Sequence, residues 1–306
     1  MILIIVMLFM IMPSILMANS EKEMPNILVL NSSENHYSDI IKGIDDESVN
    51  RYQVDELIVG KSYTLEELDS AISKYDPEFL ILIGNTSSMR YYHYQKKYEH
   101  KEMVPAVIVS FPFVNQLIDK MTNTLAIRYE VPIPIIASQM RYYSDKPIRN
   151  IGVVYRRWMR NYIETSKEYA KLEEFNLKAY EIDNRPDLNS IKYHFRKMTN
   201  DNIDAVWILN DDFLINAKTI FTTIKPLLDK FNNPVLVNND SLLQKRIAIG
   251  TFSVVPDQYS MGVKSVNIIK DLIKKSSKEN KSIDEILIEH NKILEPITTI
   301  ETMNMD

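Results

Sequence analysis

The chain contains no cysteine. Disulfides, thiolate metal sites and thiol catalysis are excluded together, and so is a lipid-modified cysteine tether. Glycine is scarce, six residues in 306, against an average near ~7%. Neither a P-loop nor a G-x-G-x-x-G turn occurs, so no nucleotide cofactor held by either is expected. No G-x-S-x-G and no H-E-x-x-H segment occurs either. A basic excess is missing: 36 Lys and Arg stand against 41 Asp and Glu, a formal charge of −5. A mildly acidic chain has no global electrostatic reason to bind nucleic acid.

What is present is an ordinary globular composition, 45% hydrophobic and 25% charged, long enough for about two domains. Residues Met1 to Met12 form an unbroken apolar run, followed by Pro13, Ser14 and the apolar stretch Ile15 to Ala18. Polar Asn19-Ser20-Glu21-Lys22 comes next. Residues 1–18 are therefore expected to be a secretory signal peptide, cleaved after Ala18, or an uncleaved N-terminal anchor. Either places the remainder outside the cytoplasm, in a periplasm or on the outer face of the cytoplasmic membrane.

From Met24 onward short apolar runs alternate with amphipathic stretches. Strands are expected at Asn26–Leu30, Tyr52–Val59, Glu78–Ile83 and Pro105–Ser110. Helices are expected over Tyr37–Ile44 and from a Thr64/Glu67 capping box to Tyr75. After a linking helix at Pro132–Tyr143 the pattern restarts. Strands are expected at Asn150–Tyr155, Leu177–Ile182, Ala205–Leu209, Pro234–Val237, Ile247–Phe252 and Pro296–Ile300. Helices are expected over Asn161–Glu174, from Asp187, over Phe213–Phe231 and over Pro256–Lys275, with a solvated loop at Lys274–Lys281. Continuous apolar strands separated by helices indicate parallel sheets covered on both faces. Two such series joined near residues 130–146 predict two doubly wound lobes with a cleft between them.

Ligands of open parallel sheets collect at the carboxyl ends of strands. Candidate positions are therefore His36 in the first strand-end loop, Thr86 and Ser87 after Gly84, Phe111 after Ser110, and Tyr155 and Arg156. Asn210, Asp211, Asp240, Asp257 and Tyr259 complete the set. Arg156 can clamp a carboxylate or phosphate, while Arg157 and Arg160 read as a solvated basic face. Asp211 and Asp240 can pair with a ligand ammonium; Asp212 reads as a helix cap and Trp207 as core. The stretch Arg90–Tyr98 reads as an amphipathic helix exposing tyrosines. Paired carboxylates also suit hydrolysis, but no residues supply the rest of such a site, so no enzyme is expected. His93 and His100 lack a third ligand, so no metal is expected.

The segments Asn150–Tyr155, Asp204–Asp211, Asn233–Val237 with Asp240, Ile249-Gly250 and Asp257–Gly262 occur in order and spacing. Together they resemble the ABC-transporter substrate-binding family that has tryptophan- and tyrosine-binding members, of type I periplasmic-binding fold. The resemblance spans about Met24 to Thr299. It implies an N-terminal lobe over residues 24–130, a hinge over 131–147 and a C-terminal lobe over 148–255. It also implies that the helix at 257–275 packs back on the first lobe and that the strand at 296–300 returns to the second. It carries ligand-binding roles to Thr86, Ser87, Asn210, Asp211, Asp240, Asp257 and Tyr259. It implies a small solute, an amino acid among the candidates, and a membrane permease as partner. A membrane-anchored sensory ectodomain of the same fold is the alternative. Two turns depart from the family: Arg156-Arg157-Trp158 stands where Asn-Pro-Ser is usual, and Ser110-Phe111-Pro112 where Thr-Asp-Pro is frequent.

Overall fold

A computed structural model of the chain describes residues 24–32, 37–143, 146–289, 292–295 and 298–302. Residues 1–18 and the expected cleavage point lie outside them. Among the described residues, no helix is long and apolar enough to cross a membrane.

The first lobe runs β1 (Asn26–Asn31), α1 (Ser38–Ser48), β2 (Gln53–Ile58), α2 (Leu65–Tyr75), β3 (Phe79–Ile83), α3 (Gly84–Lys97), β4 (Ala106–Val109), α4 (Asn115–Ile118) and β5 (Thr124–Ile127). After α5 (Ile133–Tyr143) the second lobe runs β6 (Asn150–Arg156), α6 (Arg160–Leu172), β7 (Asn176–Ile182), α7 (Leu188–Asn200) and β8 (Ala205–Ile208). It continues through α8 (Ala217–Thr219), α9 (Lys225–Leu228), β9 (Val235–Val237) and β10 (Phe252–Pro256). The chain ends with α10 (Gln258–Glu279), α11 (Ile283–Glu289), β11 (Ile293–Leu294) and β12 (Thr298–Thr302). Two six-stranded sheets result, ordered β11-β5-β4-β3-β1-β2 and β12-β10-β9-β8-β6-β7. All strand pairs are parallel except β10 with β12.

Local sequence explains most of these elements. β3 and β4 are buried at every residue, as a parallel sheet covered on both faces requires. Thr64 caps α2 through its hydroxyl, and the Thr64 amide donates to the Glu67 carboxylate at 2.6 Å. Gly84 begins α3 with φ +81°. A Cβ there would meet the Tyr37 hydroxyl at 2.6 Å, so the turn admits glycine for both conformation and space.

The chain crosses between lobes at Arg128–Pro132, at Asp257 and after Glu295. The middle crossing delivers α10 onto α1 of the first lobe. Gly43 of α1 lies under the Tyr259 carbonyl, and Gly262 of α10 lies under the Ile40 carbonyl. The two helices touch backbone to backbone, with no room for a Cβ at either position. Two of the six glycines are thus spent on one helix pair.

Several sequence expectations are corrected. The helix expected over Phe213–Phe231 is shorter and irregular, running without a gap from Ala217 to Leu228. Asn216 caps α8, a π turn spans Ile220–Ile224, and α9 carries Pro226 at its start. Proline has no N–H to continue the ladder, and the register shifts ahead of it. The strand expected at Ile247–Phe252 begins only at Phe252, because Ala248 takes φ +48° and Ile249 packs into the core from a loop. The loop expected at Lys274–Lys281 is largely helix, since α10 continues to Glu279 and ends on Asn280 in the left-handed region. The tyrosines of α3 face inward. Tyr91 and Tyr94 are buried, and their hydroxyls reach the Val104 carbonyl and Asp69. β5 and β11 were not expected from the sequence; β11 spans only two residues.

Replacing Gly262 by alanine forces a methyl against the Ile40 carbonyl. Urea denaturation of Gly262→Ala should show a loss of ~2–3 kcal/mol. Gly60→Ala, where a Cβ meets nothing within 4 Å, should change stability by less than ~0.5 kcal/mol.

Candidate functional site

The carboxyl ends of the two sheets face each other, and each contributes a wall. On the first lobe Ser32 follows β1. Its hydroxyl donates to the Ile83 carbonyl at 2.7 Å and accepts the Ser87 amide at 3.0 Å. Ser87 is fully buried and donates to the same Ile83 carbonyl at 2.6 Å. That hydroxyl locks the turn rather than facing solvent. Thr86 is half-buried and lines an open pocket of about 410 Å³ with Lys61, Asn85, Met89, Arg90 and His93. Tyr37 packs over Gly84 and hydrogen-bonds Ser110. Burial pushes its phenol up, and the carboxylate of Asp212, on the other lobe, adds to the shift. Asp212 therefore lies within electrostatic reach of Tyr37 across the lobes. His36 lies outside the described residues.

The loop after β4 is strained. Ser110 and Phe113 take φ +57° and +56°, a region non-glycine residues occupy at a cost and retain where surroundings impose it. The surroundings are visible. The Phe113 amide donates to the Glu130 carboxyl, and the Phe113 ring sits edge-on to Trp158 and Tyr162 of the second lobe, centroids 5.2 and 5.3 Å away. Phe111 leans instead against the first-lobe core.

The second wall is built on one ion pair. Arg156, at the end of β6, meets Asp211, just past β8. Nε to Oδ2 and Nη2 to Oδ1 are both 2.7 Å. The Asp211 side chain is 1% exposed and the Arg156 side chain 17%. Arg156 also donates through Nη1 to the Asn184 carbonyl at 3.0 Å, and Asp211 accepts the Phe213 amide at 3.0 Å. The guanidinium lies 5.4 Å from the Trp158 ring centroid and 4.9 Å from that of Phe213. The two residues singled out for opposite ligand charges thus neutralise one another. Asn210 is half-buried beside them.

The other candidates have structural partners. Tyr155 is buried, donates to Glu181 at 3.3 Å, and has its phenol pushed up to about 12 by desolvation. Glu181 takes hydrogen bonds from Arg160 and Arg157, which hold its carboxyl down at about 2. Asp257 caps α10 by accepting the Ser260 amide at 2.6 Å. The Tyr259 hydroxyl reaches Asp46 of α1 at 3.2 Å. Asp240 opens a 3-10 turn after β9, and its side chain lies outside the described residues. Trp207 is core, its indole donating to Asn238 at 2.6 Å. Asp212 does not cap a helix: Asn216 does, which leaves Asp212 exposed within electrostatic reach of Tyr37.

Sequence reading missed Tyr37, Phe213 and Glu130. The first two adjoin residues it selected, so widening each strand-end window by one residue would have found them. Glu130 carries no local signal. It is buried at the first crossing, in a cavity of about 110 Å³ lined also by Arg128, Tyr162, Ser166 and Glu295. Arg128 pairs with Glu295 at 3.0 Å, tying the first crossing to the third. Among the described residues, no group of three or more histidine, aspartate or glutamate side chains is arranged to hold a metal.

No family model matches the chain, and no curated protein matches it. Solved structures do. A ligand-free, open substrate-binding protein with adhesive properties from Clostridium difficile has a TM-score of 0.63 at 11% identity, covering 91% of this chain and 92% of that one. An ABC domain from Streptococcus pneumonia in complex with L-Trp has a TM-score of 0.52 at 16% identity, covering 90% of each chain. A probable maltose operon transcriptional repressor from Staphylococcus areus has a TM-score of 0.53 at 12% identity, covering 92% of this chain and 98% of that one. At such identities the likeness is one of fold: two doubly wound parallel-sheet lobes of the type I periplasmic-binding kind.

Two outcomes follow from the buried charges. Asp211→Asn leaves the Arg156 guanidinium without its counter-ion and should cost ~3–5 kcal/mol in urea denaturation. Burial raises the Glu130 carboxyl from 4.5 to about 7, so folding favours its protonated form. Its contribution is complete below ~4.5 and is lost as pH rises through ~7. Glu130→Gln, which keeps an acceptor for the Phe113 amide, should match the parent near pH 4. By pH 8 it should be ahead by about 3 kcal/mol.

Proposed function

We propose that the chain is an extracytoplasmic solute-binding protein of an ABC importer, holding a small molecule between its lobes and passing it to a membrane permease. The observation that carries this reading is that the site is divided. Tyr37, Ser110 and Phe113 come from one sheet, while Arg156, Trp158, Asp212 and Phe213 come from the other. A ligand touching both walls binds the closed arrangement better than the open one, and this difference shifts the population toward closure. The three crossings and the Arg128–Glu295 pair supply the segments about which the lobes turn.

The reading is one of binding without turnover. The buried charges of the second wall, Arg156 and Asp211, are engaged with each other, which suits a preformed surface better than a proton-transferring one. The apolar run Met1 to Ala18 supports export. A membrane-held sensory ectodomain is the second reading, favoured by the comparable likeness to a repressor. It requires Met1 to Ala18 to remain attached.

A thermal-shift screen of the chain lacking residues 1–18, against sugars, nucleosides, amino acids and aromatic carboxylates, tests the proposal. A solute at ~100 times its Kd should add about 2.7 kcal/mol, and X-ray scattering should show compaction on binding. Trp158→Ala should weaken the same solute by at least about tenfold. A flat screen on folded, ligand-free protein overturns the importer reading in favour of the sensory one.

A further inference from the structure

The pair at the centre of the second wall says what kind of solute the cleft accepts. Asp211 is placed where a buried carboxylate would receive a cation. It lies just beyond a parallel strand at the lobe interface, 1% exposed, with one oxygen held by the Phe213 amide. A buried carboxylate in such a place requires a positive partner. Here the partner is part of the chain: Arg156 supplies two parallel N–H bonds at 2.7 Å, the geometry in which guanidinium and carboxylate fit best. A third N–H is spent on the Asn184 carbonyl. The guanidinium is further fixed by two flanking rings, Trp158 and Phe213. These contacts leave it little freedom to turn toward an incoming anion in the way a free arginine does.

We infer that Arg156 is a resident cation occupying the acidic position of the cleft. It thereby sets the specificity of the second wall for a planar aromatic solute without a positive charge at that edge. The inference rests on the solute-binding reading above. The wall that remains offers faces rather than charges: the half-buried indole of Trp158, which also meets the Phe113 ring edge-on, and the Phe213 ring, 39% exposed, both close to the guanidinium. A ligand ring stacking there gains contact area on rigid side chains. A ligand ammonium or amidinium finds Asp211 already neutralised and Arg156 repelling it. Asp212 is the carboxylate left at this edge; it is exposed, and an exposed carboxylate pairs only weakly with a cation.

Four ring-matched probes test the inference: benzamide, benzoate, benzylamine and benzamidine, titrated by NMR against the chain lacking residues 1–18. The unaltered protein should bind benzamide or benzoate at least about tenfold more tightly than benzamidine or benzylamine. Arg156→Gln should reverse the order. A preference of the unaltered protein for either cation, or no binding of any of the four, overturns the inference. The broader solute screen decides the binding reading separately, because a hit among sugars or nucleosides upholds that reading while the aromatic class fails.

A second measurement does not depend on the solute. Arg156→Ala should be stabilised by millimolar methylguanidinium, which refills the position beside Asp211, whereas the unaltered protein and Arg156→Ala/Asp211→Asn should not be. Should Arg156→Ala fail to fold alone, refolding in methylguanidinium but not in equimolar sodium chloride gives the same reading. Absence of rescue in both formats overturns the assignment of Arg156 as an occupant of a cation site.

Discussion

The backbone contact between α1 and α10 is the constraint on which the two-lobed arrangement rests. Ile40 and Tyr259 present carbonyl oxygens where Gly262 and Gly43 have only hydrogen. Helices that close exchange dispersion contacts along their backbones and exclude any larger side chain from the seam. The chain leaves the second lobe at Pro256, and this seam returns it to the first. Without it α10 has no fixed seat, the strip of β11 beside β5 loses its lead-in, and the third crossing has no start. In a chain with so few glycines, placing two at one helix crossing shows how narrowly that packing is defined.

The lobes then meet through groups that a wholly apolar interface would not use. Phe113 leaves its own lobe to join the second-lobe core. Its left-handed backbone is held by Glu130, a carboxyl whose burial favours the neutral form. On the facing wall the Arg156–Asp211 pair is buried and bidentate. Such a pair contributes little net stability against an apolar substitute, yet it is costly to break from one side. Its value is geometric: it sets the guanidinium close to Trp158 and Phe213 at the mouth of the second sheet. Arg157 and Arg160, one and four residues further on, are spent outside the cleft around Glu181. Of three neighbouring arginines, only one turns inward.

Most of the fold was legible because buried parallel strands announce themselves as apolar runs and helices by their caps. Phe79–Ile83 and the Thr64/Glu67 box are examples. The failures have local physical causes. β5 gains its identity from hydrogen bonds with β4 and β11, and β11 from those with β5, which no short segment displays by itself. The helix after Asp212 starts four residues late because Asn216 caps it, and it widens to a π turn ahead of Pro226. The α3 tyrosines were read as exposed because they are mixed with the basic residues Arg90, Lys96 and Lys97. The helix instead turns Tyr91 and Tyr94 inward and keeps the lysines out.

The sequence by itself determined the two α/β series, their parallel sheets and the strand-end segments that line the facing edges. Those follow from hydrophobic period and capping within windows of some ten residues. Only the tertiary structure decided which side chains in those segments remain available. Arg156 and Asp211 lie 55 residues apart in the chain, and each alone reads as a ligand-binding charge; brought to 2.7 Å they satisfy each other. Asp257 and Tyr259 became anchors of α10, and Asp212 came within electrostatic reach of Tyr37. A charge's role depends on its distance to the nearest opposite charge and on the solvent left around it. Both quantities are set by distant strands brought side by side within a lobe and by the meeting of the two lobes, and no linear segment contains them.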